Sequence, residues 1–197
     1  MPHRTGRTAS RPGLFFRQSG FTLVELVVVL VLIGILGAVA SARYFDSAGF
    51  DAAAYAEQTR TMLRHAQKSA IAQRRPVFVV FGARRIALCF NFRVDASCAG
   101  GNHVLTPAGA NSGATATVAA CGANDWYCEA TPAGLAYALP VAGTAYFFFD
   151  SQGRPYAAAD PYPSPGEVSS FPGLVLRITG GGVTHDVTVS QETGYVY

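Results

Sequence analysis

The amino-acid sequence predicts an α+β protein, with a long N-terminal α-helix followed by a C-terminal antiparallel β-sheet domain. Three observations predict it. Residues 21–40 form one apolar run broken only by Thr22 and Glu25. From Ala52 to Ala70, small and apolar residues recur at three- and four-residue steps. After Pro76 the hydrophobic period changes to two. The chain of 197 residues suits a single core plus one extended element rather than two comparable cores. Four segments result: a leader over 1–20, an apolar helix over 21–42, an amphipathic helix over 43–75 and a β domain over 76–197.

The leader is polar and Arg-rich. Arg4, Arg7, Arg11 and Arg17 all precede Gly20, and no acidic residue does. Removing those four from the 15 basic residues leaves 11 against 12 acidic ones, so the body carries about −1. The overall +3 therefore describes the leader, and the body lacks the cationic character that binds polyanions. The apolar run is long enough, as about 20 helical residues, to cover the roughly 30 Å of a bilayer core. Its basic N-terminal flank keeps that end cytoplasmic and sends the remainder outward.

The next helix places Ala52, Ala56, Thr59, Leu63, Ala66 and Ala70 on one side. Glu57, Arg60, Arg64, Gln67 and Lys68 occupy the other. Arg74 and Arg75 suit a helix C-terminus, and Pro76 ends it. A continuous helix from Phe21 to Arg74 would be about 80 Å long. Gly34, Gly37 and Gly49 are its weak points; a bend is expected over Asp46–Gly49, with Asp51 capping the amphipathic helix beyond it.

Val77–Phe81 and Arg85–Phe90 read as strands joined by a turn around Gly82. Residues 95–143, rich in Ala, Gly and Asn, read as a long, variable loop region with short strands, stapled because it buries little. Tyr146–Phe149 is a strand closed by the Asp150–Gly153 turn. Leu174–Ile178 and Val183–Val189 flank Gly180-Gly181-Gly182, a hairpin signal. Tyr195 and Tyr197 share one strand face and are expected to close the domain against the helix. Cys89, Cys98, Cys121 and Cys128 are an even set in an exported region, so disulfides are the default. Three connectivities exist; the sequence-local pairs Cys89–Cys98 and Cys121–Cys128 are preferred. Gaps of eight and six residues do not suit the short spacing of a zinc knuckle.

Glu25 carries the functional argument. A carboxylate in a membrane segment costs about 2.5–3.5 kcal/mol on insertion scales, which calls for a partner. If the chain is cut after Gly20, Phe21 presents a new α-amino group that is largely cationic at neutral pH. Glu25 then pairs with an ammonium in the apolar layer, and pairing with a neighbouring helix would fix axial register. The competing reading is a single Glu near the interface that snorkels to water or is protonated.

GFTLVELVVVLVLIGILGAVA, residues 20–40, resembles the N-terminal signature of type IV pilins and type II secretion pseudopilins. The resemblance implies that a prepilin peptidase cuts between Gly20 and Phe21 and N-methylates Phe21. It also gives Glu25 the role of driving assembly. MLRHAQKSAIAQRRPVFVVF, FFFDSQGRP and ITGGGVTHDVTVSQETGYVY resemble the helix end, middle hairpin and C-terminal hairpin of minor pilins of the GspH/FimT group. The ending is most like that of a minor pilin of the mannose-sensitive haemagglutinin pilus. Ala42 stands where many pilins carry Pro, which leaves any helix melting to Gly34 and Gly37.

The resemblance implies a type IV pilin-like fold and a subunit held in the inner membrane with its β domain periplasmic, then moved into a filament. The implied partners are other pilin or pseudopilin subunits, prepilin peptidase, an inner-membrane assembly platform and membrane lipid. No cofactor, metal or catalytic residue is implied. A type II secretion minor pseudopilin of the GspH type is the alternative. A third reading, an ordinary secretory signal, rests on Ala38-Val39-Ala40 and Ala40-Ser41-Ala42 and would start the mature chain near Ser41 or Arg43. An enzyme finds no support, because His65, His103 and His185 form no catalytic spacing and Gly180-Gly181-Gly182 precedes a strand. Some pilins of the FimT type bind DNA through C-terminal basic residues. Here Ser170–Tyr197 offers only Arg177, and Arg84, Arg85 and Arg93 make a small strand-edge patch, so no nucleic acid is expected.

Overall fold

The computed structural model describes residues 21–44, 48–91, 98, 102–139, 145–161 and 168–197, the side chains of 39–44 excepted. The chain forms two compact units, Met1–Phe45 and Asp46–Tyr197. The first contains helix α1 (Leu23–Tyr44), which runs without interruption through Gly34 and Gly37, so neither melts it. The predicted boundary at residue 42 falls inside α1. Residues 46 and 47, the first half of the expected bend, lie outside the described residues, as does the leader.

The second unit opens with helix α2 (Ala48–Gln73). Asp51 sits within its first turn and does not cap it, because the helix starts earlier than the sequence indicates. All six residues predicted for the inner face are buried, joined by Tyr55, Met62 and Ser69. Arg74 adopts a left-handed φ of 50°. The Arg75 N–H donates to the Ala70 carbonyl at 3.2 Å and the Arg74 N–H to Ile71 at 3.3 Å, which closes the helix with a Schellman-type pair of bonds.

Eight strands complete the unit: β1 (Val77–Gly82), β2 (Arg85–Cys89), β3 (Cys128–Ala130), β4 (Ala136–Ala138), β5 (Tyr146–Phe149), β6 (Pro155–Ala157), β7 (Leu174–Gly180) and β8 (Val183–Val189). They make two antiparallel sheets, ordered β3-β2-β1-β5-β6 and β4-β7-β8. The near-continuous apolar run of β1 is what a strand buried on both faces requires. Val77, Val79 and Phe81 face one core, with Leu63, Leu88, Phe147, Leu176, Ile178 and Val187. Phe78 and Val80 face a second core, with Cys89, Cys98, Trp126, Cys128, Phe148 and Tyr156. A fully buried Leu or Phe stabilises the fold by about 1.5–3 kcal/mol, so these two layers dominate its energetics.

Two expectations are corrected. The 95–143 region has its short strands, β3 and β4, but it does not bury little: it contributes Trp126, Tyr127 and Cys128 to the cores and forms a short helix, α3 (Thr115–Cys121). Its staples Cys89–Cys98 and Cys121–Cys128 have Cα separations of 5.7 and 5.9 Å and anchor it to the second core. Tyr195 and Tyr197 do not close the domain. Val196 between them is buried, bridged to Val189, and the alternation of the strand turns both rings outward. The polar side of α2 also makes contacts within the domain. Arg60, Arg64 and Gln67, spaced along one helix face, donate to the carbonyls of Asp186, Val196 and Thr193, and Gln67 also to Gly153.

Glu129 is buried at the base of α3. It accepts the Ser112 N–H at 2.8 Å, the Ser112 hydroxyl at 2.6 Å and the Thr117 hydroxyl at 3.2 Å. Replacing Glu129 by Gln puts an NH₂ group against donors and strands one of them. A loss of about 2 kcal/mol in the unfolding free energy of the full chain is expected by denaturant titration. A change within about 0.5 kcal/mol would show that α3 is held by the disulfide alone.

Candidate functional site

The N-terminus of α1 is built from the backbone outward. Thr22 precedes the helix as its N-cap. Its hydroxyl accepts the Glu25 N–H at 3.2 Å, and its carbonyl accepts the Leu26 N–H at 3.1 Å. Thr22-Leu23-Val24-Glu25 therefore has the T-x-x-E spacing of a capping box. The Thr22 cap uses the backbone N–H of Glu25 and not its carboxylate. The carboxylate also lies in the first turn, where the helix dipole favours negative charge. Among the described residues, no basic side chain lies within ion-pair distance of Glu25.

Phe21 is 77% exposed, and every described side chain from Phe21 to Ala38 is exposed. A helix apolar on all sides belongs in lipid or among other helices. Among the described residues, a Cβ built on Gly34 or Gly37 meets nothing within 4 Å, so no described packing requires a glycine at either position. Among the described residues no helix is long and apolar enough to cross a membrane; the side chains described for α1 stop at Ala38, short of the predicted 21–42 span. Gly20 lies outside the described residues, so of the predicted cleavage pair only Phe21 is placed.

The rival sites in the β domain resolve into structural roles. His65 shares a hydrogen bond with the Ser69 hydroxyl at 3.1 Å, and burial holds its imidazole below the usual histidine range. His103 stacks on Trp126 with centroids 3.9 Å apart and hydrogen-bonds the Cys98 carbonyl at 2.7 Å. Asp186, the neighbour of His185, is engaged by Arg177 through two N–H donations at 3.0 Å across the β7–β8 hairpin. Burial pushes the Tyr137 phenol up to about 12, which keeps it protonated at neutral pH. One Arg84 guanidinium nitrogen reaches the carbonyls of Thr131 and Pro132, both at 3.5 Å, and Arg85 donates to that of Ala120. Arg93 lies outside the described residues. The described residues contain no group of three or more metal-ligating side chains.

Residues 15–41 match the family model described as the prokaryotic N-terminal methylation motif. No curated protein matches the chain. Among solved structures, the crystal structure of the type IV minor pilin FimU of Pseudomonas aeruginosa strain PAO1 is similar at a TM-score of 0.41 and 12% identity. That similarity covers 72% of this chain and 83% of that one.

Proposed function

We propose that this chain is the precursor of a non-enzymatic minor pilin, cut after Gly20 and N-methylated at Phe21 by prepilin peptidase. The observation that carries the reading is the N-terminal methylation motif over residues 15–41, which contains Gly20, Phe21 and Glu25 together. The mature subunit waits in the inner membrane through its apolar helix, with its N-terminus cytoplasmic and its β domain periplasmic. An inner-membrane assembly platform then transfers it to a filament of other pilin subunits. The exposed apolar surface of α1 supports this transfer, because moving from lipid to a bundle of similar helices costs little desolvation.

Mass spectrometry of the mature N-terminus tests the reading. A chain beginning with N-methylated Phe21 is expected, and chains beginning at Ser41 or Arg43 would replace it with a secreted soluble domain. Within the pilin reading, the C-terminal sequence favours a pilus of the mannose-sensitive haemagglutinin type over a GspH-type secretion pseudopilus. Copurification with sheared surface pili is expected; recovery only with a secretion complex would favour the pseudopilus.

A further inference from the structure

One end of the β domain is built from the first turn of α2 and the tip of the β7–β8 hairpin. The two pack closely. A Cβ built on Gly180 would lie 2.9 Å from the Ala48 carbonyl oxygen, and one built on Gly49 would lie 3.5 Å from the Val183 side chain. Phe50 emerges at this junction 82% exposed, and Val183 is 44% exposed. Every other described phenylalanine of the second unit is buried, so nothing in the domain's own packing accounts for this ring. Ala53 and Ala54, further along the same helix, are also exposed and extend the apolar surface.

The length of chain limits what can cover it. Helix α1 ends at Tyr44, two residues past the predicted span over 21–42, and six residues lead from Tyr44 to Phe50. Two helical residues and six extended ones reach about 25 Å at most. With the apolar run of α1 in a bilayer, Phe50 is therefore tethered close to the outer headgroup layer. Gln73, at the far end of α2, lies about 35 Å further along the helix. Asp51, the charged neighbour of Phe50, is exposed and acidic, so attraction to anionic headgroups does not favour this end. Apolar area must carry the contact, and a second copy would have to be recruited, whereas the bilayer is within reach of every subunit. We propose that this end of the β domain docks on the bilayer that holds α1, with Phe50 inserted at the headgroup–acyl boundary and Val183 beside it. Docking rests on the membrane-anchored subunit proposed above.

The test uses the full chain reconstituted in phosphatidylcholine vesicles, with brominated phosphatidylcholine as a quencher confined to the acyl layer. Trp126 is the chain's one tryptophan and is buried, so the parent chain supplies the baseline. Phe50→Trp keeps a large apolar ring, and its added emission is expected to fall about twofold in brominated vesicles. Val183→Trp should fall in the same direction. Leu105 is exposed and shares a pocket with His65, about 22 Å along α2 from Phe50, so Leu105→Trp should show no loss. Unchanged melting temperatures verify the fold, and flotation with vesicles at alkaline pH reads the anchoring separately. Chains that float yet show no quenching in Phe50→Trp overturn the docking and leave the proposed function standing. Equal quenching in Leu105→Trp overturns it as well. So does quenching that needs anionic lipid and disappears in salt. A blue shift in Phe50→Trp that follows the protein-to-lipid ratio without quenching would replace the bilayer with a second copy. A chain that does not float refutes the membrane-anchored subunit, and the docking with it.

Discussion

Cells producing Glu25→Ala in place of the native chain are expected to cut and N-methylate the subunit normally, yet to lose it from the sheared filament fraction by roughly a hundredfold or more. The argument is one of magnitudes. In the membrane the substitution removes a carboxylate and lowers the cost of insertion. The helix start survives, because the Thr22 hydroxyl bonds the backbone N–H of residue 25 and not its side chain. The dipole benefit of a first-turn carboxylate is about 0.3–1 kcal/mol, too small for a loss of that size. Only an ion pair in an apolar filament centre, where leaving one partner unpaired costs about 3–5 kcal/mol, reaches it. Glu25→Gln should fail nearly as badly, since it keeps shape and loses charge. Thr22→Val, which removes the cap and leaves the carboxylate, should cost about 1 kcal/mol of helix stability and still assemble. Immunoblots of membrane and filament fractions separate these cases. Normal incorporation of Glu25→Ala would refute the pairing scheme.

Legibility in the sequence tracks the strength of local signals. The β1–β2 and β7–β8 hairpins are readable because two-residue alternation and glycine-bearing turns act within a few residues. The inner face of α2 is readable because small residues recur at helical spacing, although Tyr55 and Met62 widen it. The interior of 95–143 is not. A seven-residue helix such as α3 shows barely two turns of periodicity, and Glu129 finds its partners 12 and 17 residues away. Those partners are Ser and Thr, which look like ordinary loop residues until the fold brings them together. The C-terminal strand misleads for a different reason. Two large aromatics flank one valine, so hydrophobic size points Tyr195 and Tyr197 inward, whereas the core admits only Val196. At the N-terminus the charge on Glu25 is conspicuous, whereas the Thr22 cap is easily passed over because it acts on a backbone N–H.

The junction that holds this C-terminal strand should be the least tolerant position in the β domain. Gly194 has φ +66°, and a Cβ there would lie 2.8 Å from the Gly153 carbonyl oxygen, 2.8 Å from the Phe149 ring and 2.9 Å from the Gln67 amide nitrogen. Gln67 can rotate away, but only by giving up its donations to Gly153 and Thr193. The Gly153 carbonyl belongs to a turn fixed by Asp150, whose carboxylate accepts the Gln152 and Arg154 N–H groups at 2.8 Å, so it has little room to move. Gly194→Ala therefore combines left-handed strain with a backbone clash, and about 3 kcal/mol of destabilisation is expected. Gly182→Ala provides the comparison, because φ is +73° there and a Cβ would meet nothing within 4 Å. It should cost about 1–2 kcal/mol, from backbone strain alone. Thermal unfolding of the detergent-solubilised full chain measures both. Equal losses would show that the contact among α2, the Asp150 turn and the C-terminal strand carries no stability. A clear excess at Gly194 would identify it as the joint that ties both sheets to the helix.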